Sequence, residues 1–361
     1  MAILKGMIMR KINILVTGAG APGIMGTLYS LRHNFENREV FIVGTDVKSN
    51  VVGKYICDKF YSIPPAIYSD KYLVAIKEVC EKEKIKVLIP QNTMELEILS
   101  NQKSEFEKMG VKILVSEKSA IENSNNKLKL MQVCEKIGVP VGNYYLVDNI
   151  ISLEKYAKEL GWPEKKIVVK PPISNGLRGV RIIDENYDPK EAFYSEKPNS
   201  LITNFENIKK ILGEKFPKLI VTEYLPGEEF TVDIFRKNEK MLVIPRVREM
   251  IRSGITFNGQ VIKEKNIINY SKKIASNLGL EYCFGFQFKL DIKGTPKILE
   301  CNPRVQGTMV LSTFAGANVI WLSVKAALRE DVELPNINWG TRLLRYWGGI
   351  AELNGNRIGQ L

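Results

Sequence analysis

The chain has 361 residues, 45% hydrophobic and 25% charged, a length for two or three domains and a composition ordinary for globular proteins. Disorder, collagen-like repeats and a disulfide-dense miniature fold are excluded, and no apolar run approaches the ~18–20 residues that span a bilayer. The formal net charge of +12 sits in lysine-rich segments with interleaved glutamate, such as KEVCEKEKIK, and no aromatic-plus-basic signature accompanies it. It therefore reads as solvated surface that attracts small anions, with no nucleic-acid or membrane partner.

Met9 stands directly before a strand-like run, so residues 1–8 read as preceding an alternative start, and no secretory signal pattern opens the chain. A cytoplasmic protein is expected. From there to about Val115, short runs rich in Val, Ile and Leu (INILV, EVFIVGTD, KVLIP, VKILVS) alternate with helical stretches. That alternation predicts an α/β fold with a parallel, Rossmann-like sheet covered by helices on both faces. A helical connector follows over 116–140, capped by Ser124 or Asn125, with Leu128, Met131, Cys134 and Ile137 at helical spacing and Gly138-Val139-Pro140 ending it. A smaller α+β segment runs to about Leu225 and contains the strand KIVVK, a glycine-bearing loop and a returning strand GVRII. The last segment holds the strands EFTVDIFR, KMLVIPRV, FGFQFKLD and PKILECN, with the helix NIINYSKKIASNL among them. The expected domains are 1–115, 116–225 and 226–361.

Five cysteines without C-x-x-C spacing and the single His33 leave little material for disulfides, zinc or a Ser–His–Asp triad. Any metal must rest on oxygen ligands, which favours magnesium. Gly18-Ala19-Gly20-Ala21-Pro22-Gly23 directly follows a strand, and Asp46 ends the next one, the arrangement of a dinucleotide-binding turn. Pro22 removes one amide from the phosphate cradle. An NAD-dependent oxidoreductase is thus one reading, and a tight strand-to-helix turn is the other.

The richest stretch is FGFQFKLDIKGTPKILECNPRV, residues 284–305. In its first strand Phe286, Phe288 and Leu290 share one face and leave Gln287 on the other. In its second, Glu300 and Asn302 are two apart and point the same way. A hairpin would present Gln287, Glu300 and Asn302 together, three oxygen ligands with one negative charge. Such a sparse set suits magnesium sharing phosphate oxygens.

The string QF…LECNPR resembles the metal-binding hairpin of the ATP-grasp superfamily, in particular the carbamoyl-phosphate synthetase large subunit and its short relatives. The resemblance covers roughly residues 10–325 and implies an N-terminal pre-ATP-grasp domain, built like a nucleotide-binding sheet, ahead of a two-part ATP-grasp fold. It implies ATP as cofactor, with one or two Mg2+ ions, or Mn2+, on Gln287, Glu300 and Asn302, and Arg304 facing the reacting oxyanion. Lys127 and Lys170 match the family's two phosphate-contacting bases. PPISNGLRGV resembles its phosphate-covering loop, departing from it in having only Gly176 and Gly179, with Arg178 between them. VTEYLPGEEF resembles the adenine-binding strand, so that Glu223 and the backbone of Tyr224 and Leu225 would face adenine and Glu229 the ribose. Arg252 stands where relatives have a phosphate-contacting histidine.

The implied reaction is phosphorylation of a carboxylate by ATP and displacement of phosphate by an amine or another nucleophile, on an amino acid, peptide or sugar acid. Asp233, on the strand face of Glu229, is the candidate general base. Carbamoyl-phosphate synthesis itself needs two such modules in tandem and an amidotransferase segment, and this chain has one module. A non-catalytic ATP-binding subunit is the remaining alternative. The partners expected are small carboxylate and amine substrates, with a homodimer implied by relatives.

Overall fold

The computed structural model describes residues 11–174, 176–196, 201–252 and 254–361. The candidate start at Met9 lies outside the described residues. The chain divides into two compact units: one comprises Met1–Ser124, Phe230–Phe286 and Cys301–Leu361, the other Asn125–Glu229 and Gln287–Glu300. The expected first segment and most of the third thus share one unit.

In the first unit β1 (Ile12–Val16), β2 (Val40–Asp46), β3 (Lys59–Ser62), β4 (Val87–Ile89) and β5 (Lys112–Ile113) form a wholly parallel sheet in the order β3-β2-β1-β4-β5. Strand alternation sends Ile12, Ile14, Val16 and Ile42 into one apolar cluster with Leu28 and Leu31 of the helix Ile24–Arg32. Leu15, Val43 and Leu88 enter another with Tyr72, Ile76 and Val79 of the helix Ser69–Lys82. Helices therefore cover both faces, as the runs predict. The short β3, with one apolar pair in KFYS, carries no run that betrays it, and the long helical stretch after β4 is broken at Gln102 into Thr93–Asn101 and Lys103–Lys108.

The second unit carries β6 (Tyr144–Asn149), β7 (Ile167–Lys170), β8 (Arg181–Ile183), β9 (Ile202–Thr203) and β10 (Lys215–Glu223), ordered β6-β10-β7-β8-β9 and mostly antiparallel. The connector helix Lys127–Lys136 is capped by Asn126, whose Oδ1 accepts from the Leu128 and Lys129 amides at 3.0 and 3.2 Å. The cap is one residue beyond the expected pair because Ser124 ends a preceding helix, Lys118–Ser124.

The third sheet orders β11 (Glu229–Lys237), β12 (Lys240–Arg252), β13 (Ile255–Val261), β14 (Tyr282–Leu290), β15 (Pro296–Asn302) and β16 (Arg342–Leu344) as β15-β14-β11-β12-β13-β16. The strands β17 (Ile350–Leu353) and β18 (Asn356–Gln360) pair in a closing hairpin. Among the described residues no helix is long and apolar enough to cross a membrane.

Candidate functional site

In the second unit, β7 alternates a buried Ile167 and Val169 and delivers Lys170 at its end with 7% of its surface exposed. Lys127 opens the connector helix and is 6% exposed. Its amide donates to Pro172 O at 2.8 Å, and its Nζ donates to Ser174 O and Oγ at 2.9 and 3.2 Å. Lys127 thereby ties the helix start to the loop that leaves β7. Its position is unfavourable twice over, because a helix N-terminus repels cations and Lys170 lies nearby. Glu300 Oε2 stands 3.5 Å from Lys127 Nζ. Among the described residues no ion pair reaches Lys170. Burial, and then the Lys127 charge, push its ammonium down to about 8, against a weaker opposing pull from Glu300. Among the described residues, two buried ammonium groups stand against the Glu300 carboxylate, an excess of positive charge.

The loop after β7 is exposed from Gly176 to Gly179, and Gly176, Leu177 and Gly179 all take positive φ. At Gly179 a Cβ would sit 2.7 Å from Pro171 Cγ, so this position needs glycine for space as well as for φ. Asn175 lies outside the described residues. Arg178 is exposed on this loop, with its NH1 3.3 Å from the place of a Gly176 Cβ.

β10 ends its ladder at Glu223, paired with Ile167, so the main-chain groups of Tyr224 and Leu225 lie beyond it. The Glu223 carboxylate is already engaged, with Oε1 accepting from the Asn143 amide at 2.8 Å and Lys297 Nζ at 2.7 Å. What this edge offers a ligand is therefore backbone, with the buried Leu225 and the Tyr224 ring beside it. Two ammonium groups, of Lys289 and Lys166, lie 5.3 and 6.0 Å from that ring. Glu229, half-buried, opens β11.

The hairpin of β14 and β15 turns on Asp291, whose Oδ1 accepts from the Lys293 and Thr295 amides at 2.9 Å, with Gly294 at φ +78°. Gln287 is half-buried between the fully buried Phe286 and Phe288, and Glu300 and Asn302 are half-buried on either side of buried Cys301. The division between the units falls within these strands, leaving Gln287 and Glu300 in one and Asn302 in the other. A carboxylate and two amide oxygens are hard donors, fitting magnesium or manganese. No group of three or more His, Cys, Asp or Glu able to hold a metal occurs among the described residues.

The remaining residues belong to the first unit. Arg304 donates to Val305 O (2.8 Å), Asn302 Oδ1 (3.3 Å) and Thr93 Oγ1 (3.3 Å). Arg252 is exposed and lies over the Phe257 ring at 4.3 Å. Asp233 is not a base in waiting. It is fully buried, bonded by Arg246 Nε and NH2 at 2.9 and 3.2 Å and by Ser312 Oγ at 2.7 Å. Arg246 also reaches Thr256 and Gln306. Nothing in the spacing of the sequence announced Ser174 or Lys297 as partners of the predicted residues. Arg345, just past β16, holds Gly307 O at 2.9 Å and is pushed below the usual guanidinium range by burial and then by Arg246.

In the glycine turn at the start, three amides are engaged within the protein. The amides of Ala19, Gly20 and Ala21 donate to Thr45 O, Asp46 Oδ2 and Gly18 O at 2.9, 2.8 and 2.8 Å. Asp46, the residue a ribose would need, faces the loop itself. At Gly23 a Cβ would meet the Gly307 backbone at 2.7 Å. These glycines are used for packing.

Comparison with known proteins agrees with this architecture. Residues 14–114 match the family model for a PylC-like N-terminal domain, and residues 215–345 that for an ATP-grasp in the biosynthetic pathway with Ter operon. The carbamoyl phosphate synthase large chain of Agathobacter rectalis is 25% identical over 238 residues, 63% of this chain, which spans about a fifth (20%) of that relative's length. Among solved structures, an ADP complex of N5-carboxyaminoimidazole ribonucleotide synthetase superposes with a TM-score of 0.65 at 18% identity, covering 91% of this chain and 79% of the other. An L-amino acid ligase from Bacillus licheniformis gives 0.61 at 14% identity, covering 89% and 75%.

Proposed function

We propose that this chain, which carries an ATP-grasp domain behind a PylC-like N-terminal domain, is an ATP- and magnesium-dependent ligase. It joins a carboxylate to an amine or similar nucleophile through an acyl phosphate and releases ADP. One observation carries the reading: Lys127 and Lys170 are buried together against a single carboxylate, Glu300, and Lys170 has no ion pair among the described residues. Desolvated cations in excess are held at a cost that a bound polyanion removes.

In this reading the lysines take the triphosphate, the Tyr224 and Leu225 main chain takes adenine, and Glu229 takes the ribose. The Gly176–Gly179 loop, with Arg178, covers the phosphates. Gln287, Glu300 and Asn302 would hold one or two Mg2+ ions, or Mn2+, which supply charge neutralisation on phosphate oxygens when bound. Arg304 and Arg252 would stabilise charge on the transferring group, and the protein's work is positioning and electrostatics. The carboxylate is an amino acid, peptide or sugar acid. Carbamoyl-phosphate synthesis is not part of this reading.

ATP with magnesium should raise the melting temperature, corresponding to ~2.7 kcal/mol at a hundredfold excess over Kd. ADP release should appear with one member of a panel of amino acids, dipeptides and uronic acids. Glu300→Gln should abolish that release and also lower the melting temperature, because it removes the carboxylate that faces two buried ammonium groups. A shift with NAD and none with ATP–magnesium would overturn the assignment.

A further inference from the structure

The parallel sheet of the first unit reverses its strand order between β1 and β4, where open α/β sheets form a crevice beyond the carboxyl ends of their strands. A cavity of about 260 Å³ lies there. Its polar lining is Thr45, Asp46, Tyr72, Asn92 and Glu95, and the segment Ile63–Ile67 with Met94 supplies apolar wall. Among the described residues no Lys, Arg or His lines it, in a chain whose net charge is +12.

Two of these side chains are buried polar groups that have no hydrogen-bond partner among the described residues. Thr45 and Tyr72 are 0% and 1% exposed, and among the described residues neither Thr45 Oγ1 nor Tyr72 OH has a hydrogen-bond partner in good geometry. Such groups are rare in folded proteins, and each costs free energy unless something fills the gap. Glu95, 6% exposed, accepts from the Thr17 hydroxyl, and its carboxylate lies against the Tyr72 hydroxyl. Burial pushes its carboxyl up to about 7, with the Asp46 charge acting the same way. A phosphate or carboxylate would meet two acids and no cation. A primary ammonium brings three donors and no acceptor, matching a carboxylate and hydroxyl oxygens.

We propose that this crevice binds a small primary amine, of amino-acid size, with the ammonium on Glu95, Thr45 and Tyr72 and its carbon chain along the Ile63–Ile67 wall. The volume, below the ~300–1,000 Å³ of drug-sized pockets, sets that size limit. Identifying the molecule as the amine to be acylated rests on the ligase reading, whereas the binding itself does not.

The test is calorimetric titration of the full chain, without nucleotide or metal, with pentylamine, 1,5-diaminopentane and L-lysine methyl ester, against 1-pentanol and pentanoate. At least one amine should bind at least tenfold more tightly than the alcohol, and pentanoate should not bind. Glu95→Gln should weaken that amine tenfold or more. Thr45→Val, nearly isosteric and removing a hydroxyl without a partner among the described residues, should weaken it severalfold in a folded chain. Lys170→Ala should leave amine binding unchanged. Amines no tighter than pentanol, or undiminished by both Glu95→Gln and Thr45→Val, would overturn the site. Amine binding with no ATP–magnesium melting shift would instead remove the ligase reading and leave the site standing.

Discussion

Two buried charge clusters, one in each compact unit, are built on opposite plans. In the first unit Asp233 and Arg246 are 0% and 1% exposed, one charge against the other, with Ser312, Thr256 and Gln306 taking further bonds. In the second unit Lys127 and Lys170 share Glu300, two cations to one anion. The first arrangement is complete without help, with both Asp233 oxygens bonded by Arg246 or Ser312. The second keeps an excess of positive charge among its described residues. Buried charge as such therefore says little about function, and what distinguishes the two is whether the protein supplies the partner. By the same criterion the Glu95 crevice belongs with the second plan, its sign reversed.

The sharpest way to break this contrast is to open the closed cluster. Asp233→Ala leaves the Arg246 guanidinium buried without its carboxylate, a loss that typically costs about 3–5 kcal/mol. Urea unfolding should show that loss at every pH from 6 to 9. A cost below about 1 kcal/mol would mean that water or another group already neutralises Arg246, and the cluster would not be closed.

At the open cluster the sign is opposite. Lys170 in the folded chain titrates near 8, against the ordinary lysine value of 10.5. Between those values the unfolded chain binds more protons, so its contribution to stability rises with pH and the penalty is full below about pH 8. Lys170→Met should stabilise the protein at pH 7 by up to ~3 kcal/mol and erase the ATP–magnesium melting shift. Wild-type protein should take up close to half a proton per nucleotide bound at pH 8, measured by calorimetry in buffers of different ionisation enthalpy. Glu95, raised to about 7 by burial, runs the other way, with stability falling as pH rises from about 4.5 to 7. A Lys170→Met protein less stable than wild type would show that the lysine is held by interactions of the fold itself.

Much of this was legible in the chain. The runs INILV and EVFIVGTD announce a buried parallel sheet because both faces are covered, and strand alternation accounts for Gln287 standing half-buried between buried Phe286 and Phe288. Other features depend on distant partners. The Asp233–Arg246 pair is a diagonal across the β11–β12 hairpin, where Asp233 stands opposite Ile244 and Arg246 two residues on. A register worked out for that hairpin would have found it. Glu223 is taken by Lys297, 74 residues away, which no local pattern records. Glu95 did leave a trace, since its spacing of four from Leu99 puts a carboxylate on the apolar face of its helix. The glycine turn misleads because sequence shows where amides are, and only the fold shows that Thr45 O and Asp46 have already accepted from them.

The smallest expected effect concerns the two glycine loops. Gly176 has φ +60°, and the one atom near its missing Cβ is the mobile end of Arg178, at 3.3 Å. Gly23 has an ordinary φ of −85°, but a Cβ there would stand 2.7 Å from the Gly307 backbone, which cannot move aside cheaply. Gly23→Ala should therefore cost about 1–3 kcal/mol by overpacking and leave ATP affinity where it was. Gly176→Ala should cost only the left-handed strain, about 1 kcal/mol, in an exposed loop where part of it is relieved by local adjustment. Its effect should fall on nucleotide handling, as a severalfold higher KM for ATP with little change in melting temperature. The two glycine-bearing loops would then separate cleanly, one read out in stability and the other in KM. Should Gly176→Ala melt early and leave the KM for ATP untouched, the loop after β7 is packing too, and phosphate contact rests on the lysines alone.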